Sequence, residues 1–247
     1  MSNKELQRLD KILSNSGYGS RKDVRINIKK GMVSVDGKVV KDFSIQVDPV
    51  NSSIVIDGRK LNYRKYFYIM MNKPQGVISA TYDGKNKTVI NLLPEEFANI
   101  ELFPAGRLDI DTEGFILLTN DGDFAHEILS PKKHVPKTYF AVVDGEAGEK
   151  DVEKFKEGIV IDDGYKCLPA ELRVLEQGEV SKIELTIYEG KFHQVKRMFE
   201  AVGKNVKYLK RIAMGGLKLD ETLEQGQCRE ITDEELKLIN IKGVQDE

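Results

Sequence analysis

"AGRLDIDTEGFILLTNDG", residues 105–122, sets two acids, Asp109 and Asp111, just ahead of an apolar run. Three chemistries use acids placed this way: a metal loop, a turn, and a nucleophilic carboxylate. "DIDTEG" begins like a calcium loop, with oxygens at alternate positions and Gly114 sixth. Such a loop requires a bidentate Glu at its twelfth place, and counting from Asp109 that place is Asn120. The intervening "FILLT" reads as a buried strand rather than a ligand loop. The metal fails on spacing. "NDGD", 120–123, reads as a turn opening the helix "FAHEIL", and Asp111 and Thr112 fit a turn equally well. Asp109 sits between an arginine-bearing strand end and that turn, and composition alone leaves it open between turn former and nucleophile.

The rest of the 247 residues excludes several classes. The length suits two domains, or one large core with an appendage. With 40% hydrophobic residues, 32% charged and only 7 prolines, the chain is expected to fold. No apolar run approaches the roughly 18 residues of a membrane span. "MSNKELQRLDKIL" is too charged for a signal peptide, so the expected address is a reducing cytoplasm, where the sequon at Asn51 has no meaning. Cys167 and Cys228 lie far apart with no zinc spacing, and no disulfide framework is expected. No GxxxxGK[ST] occurs, and "GYG" lacks the third glycine and preceding strand of a dinucleotide site. No metal and no cofactor are expected.

The net charge of −2 conceals an uneven distribution. Residues 1–41 hold ten Lys/Arg against four Asp/Glu, residues 186–218 eight against two, and residues 220–247 three against nine. Basic patches in an acidic chain are the footprint of a polyanion partner, although scattered solubilising lysines give a similar count. In the first patch, Leu9, Ile12 and Leu13 repeat at helical spacing up to the loop "NSGYGS". Ser20 can cap a second helix, "RKDVRINIKKG", with Val24 and Ile28 as its buried stripe and Gly31 as its stop. Arg21 opens that helix, and Lys22, Arg25 and Lys29 share its solvent face. "MVSVDGKVV" follows as alternating strands around Asp36-Gly37, a type I′ hairpin pair.

Residues 6–45 resemble the S4 RNA-binding module, and the resemblance turns Arg21, Lys22, Arg25 and Lys29 into expected RNA contacts. The opening stretch resembles the signature loop of the pseudouridine synthases of the RsuA/RluA superfamily, in which the aspartate of "RLD" is the catalytic carboxylate. "YIMMNKPQGVIS" is similar to the motif upstream of it. "PKTYFAVV" is similar to the strand whose tyrosine contacts the target base, and "LTIYEGKFHQVKRMFEAVGKNV" to the motif supplying the aspartate's basic partner. All four stand in family order across about residues 66–215. "NKPQG", "AGRLDIDT" and "HQVKRMF" resemble most the RsuA subgroup, which acts on small-subunit rRNA. Glu113 departs from the pattern, standing where relatives commonly carry Thr or Ser.

The resemblance implies an α+β chain: an S4 module over residues 1–61, then a catalytic domain over 66–243 with a mainly antiparallel sheet and flanking helices. It implies conversion of one uridine of 16S rRNA, uridine 516 in the usual rRNA numbering, to pseudouridine. The expected substrate is a partly assembled small subunit, and the expected enzyme a monomer needing no cofactor. The target must leave its stack, at a cost of a few kcal/mol. Arg107 is placed to hold a phosphate or fill the vacated space, with a strand-end salt bridge as its alternative. Asp109 attacks either C1′ of the ribose or C6 of the uracil. A carboxylate in a desolvated pocket needs a cation to stay charged, and Lys196 matches the family's basic residue. Tyr139 offers a ring for the flipped base to stack on, worth roughly 1–3 kcal/mol. His193, three residues before Lys196, is an expected RNA contact rather than a general base. Arg197, Lys191, Lys204, Lys207, Lys210 and Arg211 are collectively expected to meet phosphates. The acidic "TDEELKLINI" is expected to form a solvated terminal helix.

Overall fold

The computed structural model describes residues 6–239. The chain divides into two compact units, one of residues 1–67 with 93–102, the other of 68–92 with 103–247.

The first unit follows the local signals closely. β1 (Gln7–Arg8) pairs with β4 (Gln46–Val47), α1 is Leu9–Asn15 and α2 is Arg21–Lys29. Ser20 caps α2 in a capping box with Asp23, and Val24 and Ile28 are its buried positions. β2 (Val33–Val35), β3 (Lys38–Val39), β5 (Ile54–Ile56) and β6 (Arg59–Lys60) form an antiparallel sheet in the order β3-β2-β5-β6. Asp36 and Gly37 both take positive φ, 50° and 78°, as a type I′ turn requires. Leu9, Ile12, Leu13, Val24, Ile28, Ile54 and Ile56 close the core.

The second unit is built on a nine-stranded sheet of described residues. Its strands are β7 (Tyr68–Lys73), β8 (Phe103–Ala105), β9 (Glu113–Thr119), β10 (Lys137–Asp144), β11 (Glu171–Glu176), β12 (Val180–Ile187), β13 (Asn205–Met214), β14 (Leu217–Lys218) and β15 (Cys228–Glu230). The order is β11-β12-β10-β13-β9-β7-β15, with β14 on β13 and β8 on β9. Helices α3 (Gly122–Leu129), α4 (Glu149–Glu157), α5 (Gln194–Ala201) and α6 (Asp233–Ile239) accompany it. The fold is α+β with a mainly antiparallel sheet. Every residue of β9 is buried, as "FILLT" demands, and Asp121 caps α3 by accepting from the Phe124 amide.

β13 and β9 form a parallel pair, meeting at Lys210–Glu113 and Arg211–Gly114. At this junction Gly114 has φ +98°, and a Cβ there would lie 2.2 Å from the Arg211 carbonyl oxygen. The glycine that mimics a calcium loop in sequence is therefore a close-approach residue. Glu113 is buried beside it and accepts a hydrogen bond from the Tyr208 hydroxyl at 2.6 Å. Burial and that carboxylate both push the Tyr208 phenol up.

α6 corrects the expectation of a solvated helix. Ile239 is fully buried, the Gly216 amide donates to the Leu238 carbonyl, and Arg229 joins Asp220 to Glu235. The last residues of the expected helix lie outside the described residues.

Gly114→Ala is expected to lower the unfolding free energy by about 2 kcal/mol or more, because φ and backbone contact both oppose a side chain. Urea denaturation checks this, and a change below about 0.5 kcal/mol would contradict the close approach.

Candidate active site

The Asp109 loop joins β8 to β9 and is held from beneath by β7. Lys73, the last residue of β7, is fully buried and donates its ammonium protons to backbone. Its acceptors are the carbonyls of Thr112 at 2.8 Å, Asp109 at 3.0 Å and Pro74 at 3.1 Å. Burial brings its pKa down to about 8, against the charges of Asp109, Asp111 and Glu113, which favour the ammonium. Two further ties complete the cradle. Ser79 donates to the Leu108 carbonyl and accepts from the Leu108 amide, and the Gly76 amide donates to the Ile110 carbonyl. "NKPQGVIS" thus matters as a bracket for the loop.

From the other side comes α5. The Lys196 ammonium lies 2.6 Å from Asp111 Oδ1 and 3.3 Å from Asp109 Oδ2. Burial lowers the Lys196 pKa, but the Asp111 hydrogen bond and the Asp109 charge outweigh it, and the ammonium ends above its usual range. The hydrogen bond from Lys196 holds Asp111 below the ordinary carboxylate range, against burial. Asp111 is therefore more than the turn former that composition allows: it shares the lysine.

His193 Nε2 stands 3.7 Å from Asp109 Oδ1, too long for a hydrogen bond. His193 precedes α5 with φ 49° and stacks on the exposed Phe192 at 3.7 Å between ring centroids. Glu189, itself buried, fixes this loop by accepting from Gln194, from the Leu168 amide and from the Tyr165 hydroxyl. Gln194 in turn accepts from the Lys191 amide at 2.8 Å.

Asp109, Lys196, His193, Phe192 and Glu189 line one cleft of about 340 Å³, together with Arg107, Tyr139, Lys137 and Arg211. Tyr139 is 7% exposed, and Arg107 is exposed with no side-chain partner among the described residues. Asp109, Tyr139, Lys196, Arg107 and His193 are thus brought together. Arg197 is not free for phosphate: it pairs with Asp162 and Asp163 on the rim of α5. Lys204 is tied to Asp151 and Lys207 to Asp144. Arg211 is 2% exposed, so burial removes it from the surface set. In the first unit Arg25 joins Arg8 in holding the buried Asp10, and Arg21 pairs with Glu101. Burial pushes the Asp10 carboxyl up, but the two arginines' hydrogen bonds carry it below the usual range. Lys22 and Lys29 stay exposed, with Lys29 and Arg25 over the Phe43 ring. Lys73 and Glu189, which sequence reading passed over, show no periodic signal; only their partners, distant in sequence, give them a role.

A carboxylate braced by an ammonium, beside an aromatic ring in a cleft, can act as a nucleophile on a planar base lying next to it. Residues 67–201 match the family model for RNA pseudouridylate synthase and residues 7–51 that for the S4 domain. The chain belongs to the RNA pseudouridylate synthase family and carries an S4 domain. It is 52% identical over 235 residues to the uncharacterized RNA pseudouridine synthase YtzG of Bacillus subtilis, covering 94% of this chain and 98% of that one. Ribosomal small subunit pseudouridine synthase A of Vibrio cholerae is 41% identical over 94% of this chain and 99% of its own. Ribosomal large subunit pseudouridine synthase B of Bacillus subtilis is 39% identical over 94% of this chain and 95% of its own. A crystal structure of a pseudouridylate synthase superposes with a TM-score of 0.66 at 34% identity, over 94% of this chain and 99% of that one. Among the described residues no helix is long and apolar enough to cross a membrane.

Lys73→Met is expected to destabilise the protein by about 3 kcal/mol, since each buried carbonyl losing its donor costs about 1–3 kcal/mol. Chemical denaturation reads this directly, and an unchanged midpoint would show that the carbonyl bracket does not hold the loop.

Proposed function

We propose that this pseudouridine synthase modifies one uridine of 16S rRNA, uridine 516 in the usual rRNA numbering, with Asp109 as its nucleophile. The observation carrying the reading is the position of Asp109: in a cleft, 3.3 Å from the Lys196 ammonium, with Tyr139 lining the same space. Isomerisation adds and removes no atom. The N1–C1′ bond breaks, C5 bonds to C1′, the C5 proton leaves, and N1 gains a proton. Asp109 serves in either of two ways, forming an ester with C1′ or adding to C6, and is released in both when the new bond is complete. Lys196, 3.3 Å away, orients the carboxylate, while Tyr139 stacks on the extruded uracil.

The remaining roles follow from exposure. Arg107, exposed at the cleft, meets a phosphate or fills the space left in the stack. His193 contacts RNA at the mouth. In the S4 domain, Lys22 and Lys29 carry free charge towards RNA, while Arg21 and Arg25 keep part of theirs for Glu101 and Asp10. The small-subunit choice rests on "HQVKRMF" and on the small-subunit relative in Vibrio cholerae at 41% identity. The substrate is a partly assembled subunit, in which the target is still reachable.

A large-subunit target is the second reading, favoured by the Bacillus subtilis relative of that name at 39% identity. Mapping pseudouridines in both rRNAs of a deletion strain separates the two. Loss of a single 16S site, restored by the intact gene, is the expected result. Loss confined to 23S rRNA would overturn the small-subunit assignment.

A further inference from the structure

Two buried cations line the Asp109 cleft without a part in the steps above, Lys137 and Arg211; Lys191, at the same cleft, is exposed and lies over the Tyr165 ring. Lys137 opens β10, and Arg211 stands on β13 directly opposite Tyr139. Both are buried, at 6% and 2% exposure. The Lys137 ammonium donates to one group, the Val135 carbonyl at 2.9 Å. Arg211 donates its Nε to the Phe115 carbonyl at 2.7 Å, while its buried Nη2 meets no acceptor among the described residues. Neither has a carboxylate partner among the described residues, whereas Lys196, Arg197, Lys204 and Lys207 each do. Burial, with the Arg211 charge added, brings Lys137 down to about 8.

Buried charges in proteins are paired, because an unpaired one costs stability. Two adjacent unpaired cations in a substrate cleft therefore point to an anion that arrives with the substrate. The reaction generates one. Attack at C1′ sends the N1–C1′ electron pair away with the ring, spreading charge over N1, O2 and O4. Addition at C6 pushes a pair through C5 and C4 onto O4. Either route delivers negative charge to carbonyl oxygens of the base, next to the Tyr139 ring.

We propose that Lys137 and Arg211 form an anion site for the uracil ring, donating to its carbonyl oxygens and holding the charge released as the glycosidic bond is broken. The inference rests on the pseudouridine synthase reading. A backbone phosphate offers the same anionic oxygens, so the test must separate the two sources.

Lys137→Met keeps the aliphatic stem and removes the charge together with the hydrogen bond to the Val135 carbonyl, whereas replacing Arg211 would free the Phe115 carbonyl beside the β9–β13 junction. Full-length wild type and variant are compared on in vitro transcribed 16S rRNA, free and assembled with small-subunit proteins, and on 23S rRNA. Three quantities are read: Tm, Kd across a salt series, and single-turnover conversion. The site predicts a Tm close to that of the wild type, because relief of the unpaired buried charge offsets the loss of the Val135 hydrogen bond. It predicts an unchanged Kd, and conversion slowed about 10²–10³-fold, as when one donor to a developing oxyanion is lost. Weaker binding with a shallower salt dependence would assign the pair to a phosphate instead. A lowered Tm accompanying the rate loss would make Lys137 a structural residue, and an unchanged rate would remove it from the reaction; each overturns the proposal. Failure of the wild type on every RNA would instead sink the enzymatic reading, and the inference with it.

Discussion

The site depends on one buried ammonium. Lys73 gathers carbonyls from the middle and the end of the Asp109 loop and from Pro74 beyond its own strand, so the backbone bearing the carboxylate is fixed before any substrate arrives. A loop between two strands would otherwise be the most mobile part of the sheet. Catalytic geometry tolerates little displacement, which gives a bracket of this kind its value. Lys196 then acts on a carboxylate already in place, and Asp111 keeps the lysine in reach of both acids.

The cations fall into two groups once partners are known. Arg197, Lys207 and Arg21 are paired with exposed acids, surface pairs that contribute modestly to stability, while Lys204 and Arg25 are tied to the buried Asp151 and Asp10. They carry less of the polyanion attraction than the sequence count of charge implies. Arg107, Lys22 and Lys29 stay exposed, while Lys137 and Arg211 are buried in the cleft. The cations thus divide between ion pairs, exposed positions and the cleft.

Much of this was legible in sequence, because its causes are local. The Ser20 cap, the Asp36-Gly37 turn, the buried stripe of α2 and the strand "FILLT" follow from spacing and residue type within a few positions. The assembly of Asp109, Tyr139 and Lys196 came from resemblance, since nothing local joins residues 87 apart. Long-range partners explain what was missed. Arg211 reads as one more surface lysine-like charge until β13 is laid beside β9 and Gly114. Glu189 becomes a hub only when Tyr165, Leu168 and Gln194 meet it. α6 has the acidic composition of a solvated helix, yet Arg229 offsets two of its neighbouring acids and Ile239 enters the core.

The central claim is that Asp109 attacks a uridine whose C5 proton is then lost. Small-subunit RNA carrying tritium at uracil C5, free and assembled with ribosomal proteins, measures that loss directly. The account predicts tritium release by the wild type and none by Asp109→Ala, with the variant still binding the RNA. Release by Asp109→Ala at the wild-type rate would contradict it.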